Sequence, residues 1–347
     1  MDDRSRDDRS RDDRSRDDRS RDDRSRDEWF AVASTDGVAP GEAYPFVLME
    51  GRYVLVRDAS DRVSVFEDTC PHRGAQLSLG RFDGTRLQCP YHGWEFDTAG
   101  RCVHRPAHPG SAIPDGCSLR SIAVTEAFGL WWVCLGTEPR ALPDYPAYAD
   151  YPGLTVAFGP QDLDTSGPRA VENFLDVAHF PFVHDTYLGE WPHTEVRDYE
   201  VSVGETGVLA TNVVAWQPRP GPTATEGGDV AYVYSVTHPY AAVLTKVPSE
   251  ANGGELHGFS MMIVASPVSE TTCRVWMLTT IRDPDGDLAG YRAFNEVIFA
   301  QDTPVVESQR PKRLPLDPAA ETHQRADRLS VAYRRWLLGR GIAYGTC

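Results

Sequence analysis

The sequence contains no run of eighteen apolar residues, so it offers no segment long enough to cross a membrane as a helix. It has no Gly-x-Gly-x-x-Gly motif, with which many dinucleotide-binding domains hold a pyrophosphate. A Cys-x4-Cys-x2-Cys run, typical of plant-type ferredoxins, is also absent. These absences argue against a helical membrane protein, and they leave the chain without a dinucleotide-binding or ferredoxin motif of its own.

The amino terminus lacks apolar residues after Met1. Residues 2–26 are five copies of Asp-Asp-Arg-Ser-Arg, which cannot bury a core and have no apolar segment of the kind that signal peptides need. We therefore predict that residues 1–27 form a disordered tail without a role in function. The ten Asp and ten Arg of the five copies cancel, so the net charge of −16 belongs to residues 27–347 and argues against nucleic acid and anionic membranes as partners.

Seven cysteines are present, an odd number in a sequence without a secretion signal. This predicts a reducing compartment, the cytoplasm, where clustered Cys and His bind metal more often than they form disulfides.

Residues 28–140 read as a small antiparallel β domain, because short β-rich segments alternate with turn residues and no long helical period appears. Two loops in it carry metal-binding residues at the spacing Cys70-x-His72 and Cys89-x-x-His92. Each loop supplies one thiolate and one imidazole, which suits a [2Fe–2S] cluster with two Cys on one iron and two His on the other. The alternative is a structural zinc ion, but zinc fingers place their cysteines together and their histidines together, whereas here they are interleaved.

A second candidate site lies in the stretch Glu172–His184. Asp176 and His179 share a helix face at a spacing of three, and Pro181 is expected to end that helix and turn His184 back toward His179. Two histidines with one carboxylate are the set that holds non-haem iron(II) with open positions for dioxygen. Asp302 offers the carboxylate in apolar surroundings, although the residues alone leave open whether it is a ligand or a solvated helix residue.

Residues 141–347 form the second predicted domain, which begins after a proline-rich linker. Its β-rich segments are followed by helices predicted over residues 287–307, which carry Asp302, and 319–338. An antiparallel sheet that packs against helices places the domain in the α+β class. The strand segments offer Trp216, Tyr232, Tyr234, Met261 and Met262 as candidate pocket walls.

Together these motifs resemble the α subunit of Rieske non-haem iron oxygenases, over residues 28–347 and without a departure at any ligand position. The resemblance implies a Rieske [2Fe–2S] domain over residues 28–140 and a helix-grip catalytic domain over residues 141–347. It implies that Asp176 joins a Rieske histidine of the neighbouring subunit to an iron-bound histidine, in a homotrimer where electrons cross between subunits. Asn173 is a further candidate beside the iron.

The activity that the resemblance implies is that of a terminal oxygenase, closest to the monooxygenase and demethylase branch. Electrons would come from a separate NAD(P)H reductase, with or without a ferredoxin, and dioxygen activated at iron(II) would hydroxylate or oxidatively demethylate a small aromatic or heterocyclic substrate. One alternative is a dioxygenase that dihydroxylates aromatic rings. Alternatives of other classes are a Rieske-type electron carrier and a helix-grip binding protein. The iron content distinguishes the three: an oxygenase would hold three irons per chain, a carrier two and a binding protein none.

Overall fold

The computed structural model describes residues 23–114, 116–220, 225–249, 254 and 258–347. Its contacts divide the chain into two compact units. One comprises Trp29–Arg140 and Ser266–Ser269, and the other comprises residues 23–28, Ala141–Ala265 and Glu270–Cys347. No helix in the described part of the chain is long and apolar enough to span a membrane.

The first unit consists of two antiparallel sheets. The larger has the strand order β1-β10-β9-β4-β3-β2 and the smaller the order β5-β6-β7-β8. The strands are β1 Trp29–Ser34, β2 Glu42–Leu48, β3 Gly51–Arg57, β4 Val63–Glu67, β5 Arg81–Phe82, β6 Arg86–Gln88, β7 Glu95–Asp97, β8 Cys102–His104, β9 Ser121–Ala127 and β10 Leu130–Cys134. The core beneath the small sheet includes Phe66, Leu87 and Phe96, and it also takes in the Cys70 and Cys89 side chains.

The second unit is built on a seven-stranded antiparallel sheet in the order β11-β17-β16-β15-β14-β13-β12. Its strands are β11 Thr155–Leu163, β12 Glu200–Gly204, β13 Gly207–Gln217, β14 Gly228–His238, β15 Ala241–Lys246, β16 Phe259–Ser269 and β17 Thr272–Ile281. Its helices are α1 Pro146–Asp150, α2 Gly167–Phe174, α3 Phe180–Val183, α4 Leu288–Ser308 and α5 Arg328–Arg340. Helix α4 packs on β11 and β17, and α5 packs on β12 and β13. The predicted α+β class is therefore confirmed.

The structure differs from the sequence prediction around Pro181. Helix α2 ends at Phe174, and Pro181 lies in the first turn of the new helix α3 instead of ending an older one. The reason is general: proline fits the first turn of a helix, where its missing N–H has no partner to lose. Asp176 and His179 thus lie in the turn between two helices.

The last repeat copy also differs from the predicted tail. Residues 1–22 lie outside the described residues, but Ser25–Asp27 form a 3-10 turn and Ser25 is fully buried. Arg24 N–H donates to Gly341 O, and the Ser25 hydroxyl accepts from the backbone N–H of Tyr344 at 3.2 Å. Docking onto the carboxyl-terminal segment supplies the partners that the repeat itself lacks.

The last helix is shorter than predicted. Residues 318–320 and 325–327 form separate 3-10 turns, and α5 begins only at Arg328. The Asp327 carboxylate accepts from the backbone N–H of Gln324, and this cap starts a new helical segment there. The end moves as well, from the predicted Leu338 to Arg340, because Gly341 takes the left-handed conformation that closes a helix.

Candidate active site

The two Cys/His loops of the first unit have the same local geometry. Cys70 N–H donates to Ala75 O at 2.8 Å and Cys89 N–H donates to Trp94 O at 2.8 Å. Each loop has a second hydrogen bond to the cysteine carbonyl: Gly74 N–H donates to Cys70 O at 2.9 Å, and Gly93 N–H donates to Cys89 O at 3.1 Å. Both glycines have φ near +70°, at 71° and 68°, which a side chain would strain. The two loops are therefore a matched pair that presents equivalent side chains.

The thiols of this pair are buried and the imidazoles are exposed. Cys70 and Cys89 are 1% and 2% exposed, while the rings of His72 and His92 lie at the surface with centroids 4.5 Å apart. Burial, followed by the neighbouring Cys89 thiol, raises the pKa of Cys70 to about 11. A thiolate pair at this position therefore needs a bound cation, as a metal cluster supplies.

The arrangement of the four side chains also bears on the zinc alternative. Within the described residues, three or more potential ligand atoms lie within 4.8 Å of one another only at His179, His184 and Asp302. Cys70, His72, Cys89 and His92 are not part of such a group, and one thiolate with one imidazole from each loop would suit a [2Fe–2S] cluster with two Cys on one iron and two His on the other. The donor set thus fits a [2Fe–2S] cluster.

An aromatic stack covers one side of this loop pair. The Trp94 ring lies parallel to the His72 ring at a centroid distance of 4.5 Å and an angle of 5°. The guanidinium of Arg105 lies over the Trp94 ring, 5.8 Å from its centroid. Trp94 therefore packs on a candidate cluster ligand and orients its ring.

In the second unit, the structure brings His179, His184 and Asp302 together. The two Nε2 atoms are 3.2 Å apart, and the Asp302 Oδ1 atom lies 3.5 Å from Nε2 of His179 and 3.2 Å from Nε2 of His184. His179 and His184 come from the two ends of α3, and Asp302 comes from the middle of α4. The three atoms thus form a nearly equilateral triangle.

This triangle fits a metal ion. Ligand atoms about 2.1 Å from one ion and at right angles to each other lie about 3.0 Å apart. Asp302 Oδ1 is buried and has no hydrogen-bond partner among the described residues, although it faces two imidazole nitrogens. A cation would satisfy this carboxylate and both nitrogen lone pairs, and two His with one carboxylate suit iron(II).

Hydrogen bonds at Nδ1 orient both imidazoles. His179 Nδ1 lies 3.0 Å from Asp176 Oδ2, and His184 Nδ1 lies 2.9 Å from Gln301 Oε1. Both partners accept, so each Nδ1 carries the proton and each Nε2 keeps a lone pair for a metal. Burial alone would raise the pKa of Asp176, but the bonds from His179 and the Ala178 N–H lower it below its ordinary value.

Gln301 was not identified in the sequence analysis. Its position beside Asp302 was visible, but adjacent residues on a helix point in different directions, and only the fold brings the Gln301 amide against His184.

Glu172 is not one of the three potential ligands; it accepts two hydrogen bonds from Arg334, at 2.5 and 2.8 Å. Asn173 borders both the metal-facing cavity and the polar cleft that contains Asp176.

An apolar cavity opens beside the three potential ligands. Its empty space, counted to the open mouth, is about 840 Å³. Of the candidate wall residues, Tyr232, Tyr234 and Met261 line it, whereas Met262 points to the opposite face of β16 and Trp216 stacks on His193. Most other lining residues are apolar: Leu163, Phe174, Phe180, Leu188, Leu244, Phe259, Ile263, Met277, Phe294, Ile298, Phe299 and Val306.

Comparison with known proteins agrees with this geometry. Residues 28–123 match the family described as "Rieske [2Fe-2S] domain", and residues 163–340, just over half of the chain, match "Vanillate O-demethylase oxygenase C-terminal domain". The probable methylxanthine N7-demethylase NdmC of Pseudomonas sp. (strain TJI-51) is 37% identical over 228 residues, which cover 65% of this chain and 79% of that protein.

Solved structures extend the likeness to the fold. Pseudomonas putida CBB5 NdmA with caffeine has a TM-score of 0.76 and 29% identity, and the match covers 90% of each chain. Dicamba monooxygenase bound to dicamba has a TM-score of 0.75 at 24% identity, covering 91% of this chain and 97% of that one, which shows a shared fold.

Proposed function

The chain belongs to the Rieske non-haem iron oxygenases, and from that premise we propose that it removes a methyl group oxidatively from a small heteroaromatic substrate. The observation that carries this proposal is the His179–His184–Asp302 triangle on the wall of an apolar cavity. Relatives named methylxanthine N-demethylases and the oxygenase component of dicamba O-demethylase support demethylation. Removal of an N-methyl group by one dioxygen, two electrons and two protons gives N–H, formaldehyde and water.

As a member of this family, the protein is an oxidoreductase and the terminal oxygenase of its system. It carries a Rieske [2Fe–2S] cluster and a mononuclear non-haem iron, uses dioxygen, and receives electrons from a separate reductase. When bound, the cluster supplies single electrons and the iron supplies dioxygen activation.

In our assignment, Cys70, Cys89, His72 and His92 hold the cluster, and His179, His184 and Asp302 hold the iron. Asp176 and Gln301 keep the imidazoles of His179 and His184 in the tautomer that leaves Nε2 free. The apolar wall excludes water from the space beside the three ligands and binds the substrate ring by burial of its faces. Asn173 borders that space and offers a side-chain amide to it.

We further propose that the protein works as a homotrimer in the cytoplasm. Asp176 lies in a polar cleft and its side chain is 30% exposed, so a partner imidazole can reach the carboxylate while it holds His179. A head-to-tail contact of this kind closes into a ring. None of the seven cysteines forms a disulfide, as a reducing compartment favours.

A single-turnover experiment tests the proposed activity without its natural reductase. The holoenzyme is reduced with dithionite, freed of excess reductant, and mixed with caffeine or theobromine and dioxygen; formaldehyde is then measured. We expect formaldehyde from the wild type and none from His179→Ala or Asp302→Ala, which should lose the third iron per chain while the Rieske absorption survives. Full iron content and activity in both variants would overturn the assignment.

A further inference from the structure

Two phenol groups stand side by side on the cavity wall formed by β14. Tyr232 and Tyr234 are two residues apart, so their side chains share one face of the strand, and their ring centroids are 6.3 Å apart. They are 3% and 0% exposed, and both line the cavity. Buried hydroxyls normally have hydrogen-bond partners, so the partners of this pair need to be accounted for.

Neither phenol proton has an acceptor among the described residues. Tyr234 Oη has no hydrogen-bond partner at all. Tyr232 Oη accepts from Gln217 Nε2 at 2.7 Å, and Gln217 Oε1 accepts from Lys246 Nζ at 3.4 Å. Lysine can only donate, so it fixes which end of the Gln217 amide faces Tyr232. Tyr232 is therefore an acceptor toward Gln217, and its own proton remains to be donated elsewhere.

These two donors border the same space as the candidate iron ligands. The Phe180 ring lies 5.9 Å from the His184 ring and 6.5 Å from the Tyr232 ring, so it contacts both. Tyr234 packs against Phe174, another cavity residue, at 6.2 Å. Burial raises the pKa of Tyr234 well above its ordinary value of 10.0, so the group is a donor at neutral pH.

We propose that Tyr232 and Tyr234 bind the substrate, and that they recognise an uncharged heteroaromatic ring through acceptor atoms such as ring carbonyl oxygens. The inference rests on the proposed function, and it adds the chemistry by which the substrate is chosen. Among the described lining residues, no Lys or Arg is present to balance an anionic substrate, and Asp302 would repel one. Aromatic and aliphatic side chains cover the faces of the ring, and the two phenols fix its orientation in the plane.

Equilibrium binding to the holoenzyme under anaerobic conditions tests the proposal, with calorimetry as the measurement. Caffeine is the probe with two ring carbonyls, and 1-methylindole is an N-methyl heteroaromatic without a comparable acceptor. We expect Tyr232→Phe and Tyr234→Phe each to raise the Kd for caffeine about three- to tenfold, the effect of one lost neutral hydrogen bond. The Kd for 1-methylindole should not change.

Tyr333→Phe is the matched control. Tyr333 is equally buried in the same unit, but its hydroxyl donates to Pro239 O at 2.6 Å and does not line the cavity, so its loss should leave caffeine binding unchanged.

Wild-type affinity for caffeine in both cavity variants would overturn the inference while leaving the proposed function intact. Tighter binding of dicamba or toluene-4-sulfonate than of caffeine would overturn the uncharged class. A wild type that binds no probe and releases no formaldehyde would overturn the proposed function as well.

Discussion

At the scale of single residues, the amide of Gln301 is the partner of His184 that the ligand motif does not include. Its Oε1 lies 2.9 Å from His184 Nδ1, so it holds the proton on that atom and leaves Nε2 for the metal. We predict that Gln301→Leu lowers iron affinity about 10- to 100-fold, the usual effect of losing such a partner. Iron content after dialysis against graded chelator concentrations is the measurement.

The control for that experiment is Gln161→Leu, the same change at an exposed glutamine of β11. It should retain iron as the wild type does, and the Rieske absorption should be unchanged in both variants. Equal iron retention by Gln301→Leu and Gln161→Leu would contradict the role that we give to Gln301.

Lys246 allows a prediction about pH. Burial lowers its pKa from 10.5 to about 8. Between these values the unfolded chain keeps the proton and the folded chain has lost it, so the unfolded state binds more protons and stability rises with pH across this window. We predict that Lys246→Met removes this part of the rise. Thermal midpoints from pH 7.5 to 10 for both proteins give the slopes, and parallel slopes would contradict the prediction.

Six of the seven proposed metal ligands could be selected from the sequence because they form short-range patterns: His179 and His184 are five residues apart, and each Cys/His pair lies within one loop. Asp302 lies far along the chain from both histidines, and the residues alone left its role open. The side chains that orient the ligands, or that line the cavity as unpaired donors, could not be predicted in this way. Gln301 is 117 residues from His184, and the missing acceptor of Tyr234 is a property of the packed interior. Nothing in the local sequence of either residue distinguishes it from an ordinary surface glutamine or core tyrosine.

At the scale of elements, a buried ion network ties α2 to α5. Arg334 on α5 donates to both carboxylate oxygens of Glu172 on α2 and also to Glu321, and its side chain is 2% exposed. Removing it leaves Glu172 and Glu321 with only Arg169 as their cation among the described contacts. We predict that Arg334→Met lowers the free energy of unfolding by about 3–5 kcal/mol, as for other broken buried pairs.

Urea unfolding followed by circular dichroism measures this loss. The neighbouring Arg335 is exposed on the same helix, so Arg335→Met should change stability by no more than about 0.5 kcal/mol. Similar losses in the two variants would mean that the network contributes nothing beyond helix propensity.

Element prediction succeeded where the hydrophobic pattern is long and failed where a local cap decides the boundary of a helix. Helix α4 was expected over residues 287–307 and spans Leu288–Ser308. By contrast, α5 was placed nine residues early, because a capping box at Gln324, in which the Asp327 carboxylate accepts from the Gln324 N–H, forms a separate turn before the helix. Pro181 was misread for a related reason: proline is compatible with the start of a helix as well as with its end.

At the scale of the whole molecule, the question is how electrons travel from cluster to iron. Asp176 accepts from His179 and from the Ala178 N–H, and its carboxylate is still partly exposed in the polar cleft. In the proposed trimer it receives a second imidazole from the neighbouring subunit. We predict that Asp176→Asn keeps both metal centres and the trimer, yet slows re-oxidation of the reduced cluster by caffeine and dioxygen, followed by stopped-flow absorbance.

Subunit complementation tests the same path without altering Asp176. Cys89→Ala should remove the cluster and His184→Ala the iron, so each variant alone should be inactive. If electrons cross between subunits, a co-expressed mixture contains rings in which an intact cluster of one subunit faces an intact iron of the next, and part of the activity returns. If electrons stay within one chain, no subunit in any ring has both centres and the mixture stays inactive. Formaldehyde release from tagged, purified mixed oligomers, with mass measurement of the assembly, decides between the two paths, and an active monomer would exclude the first.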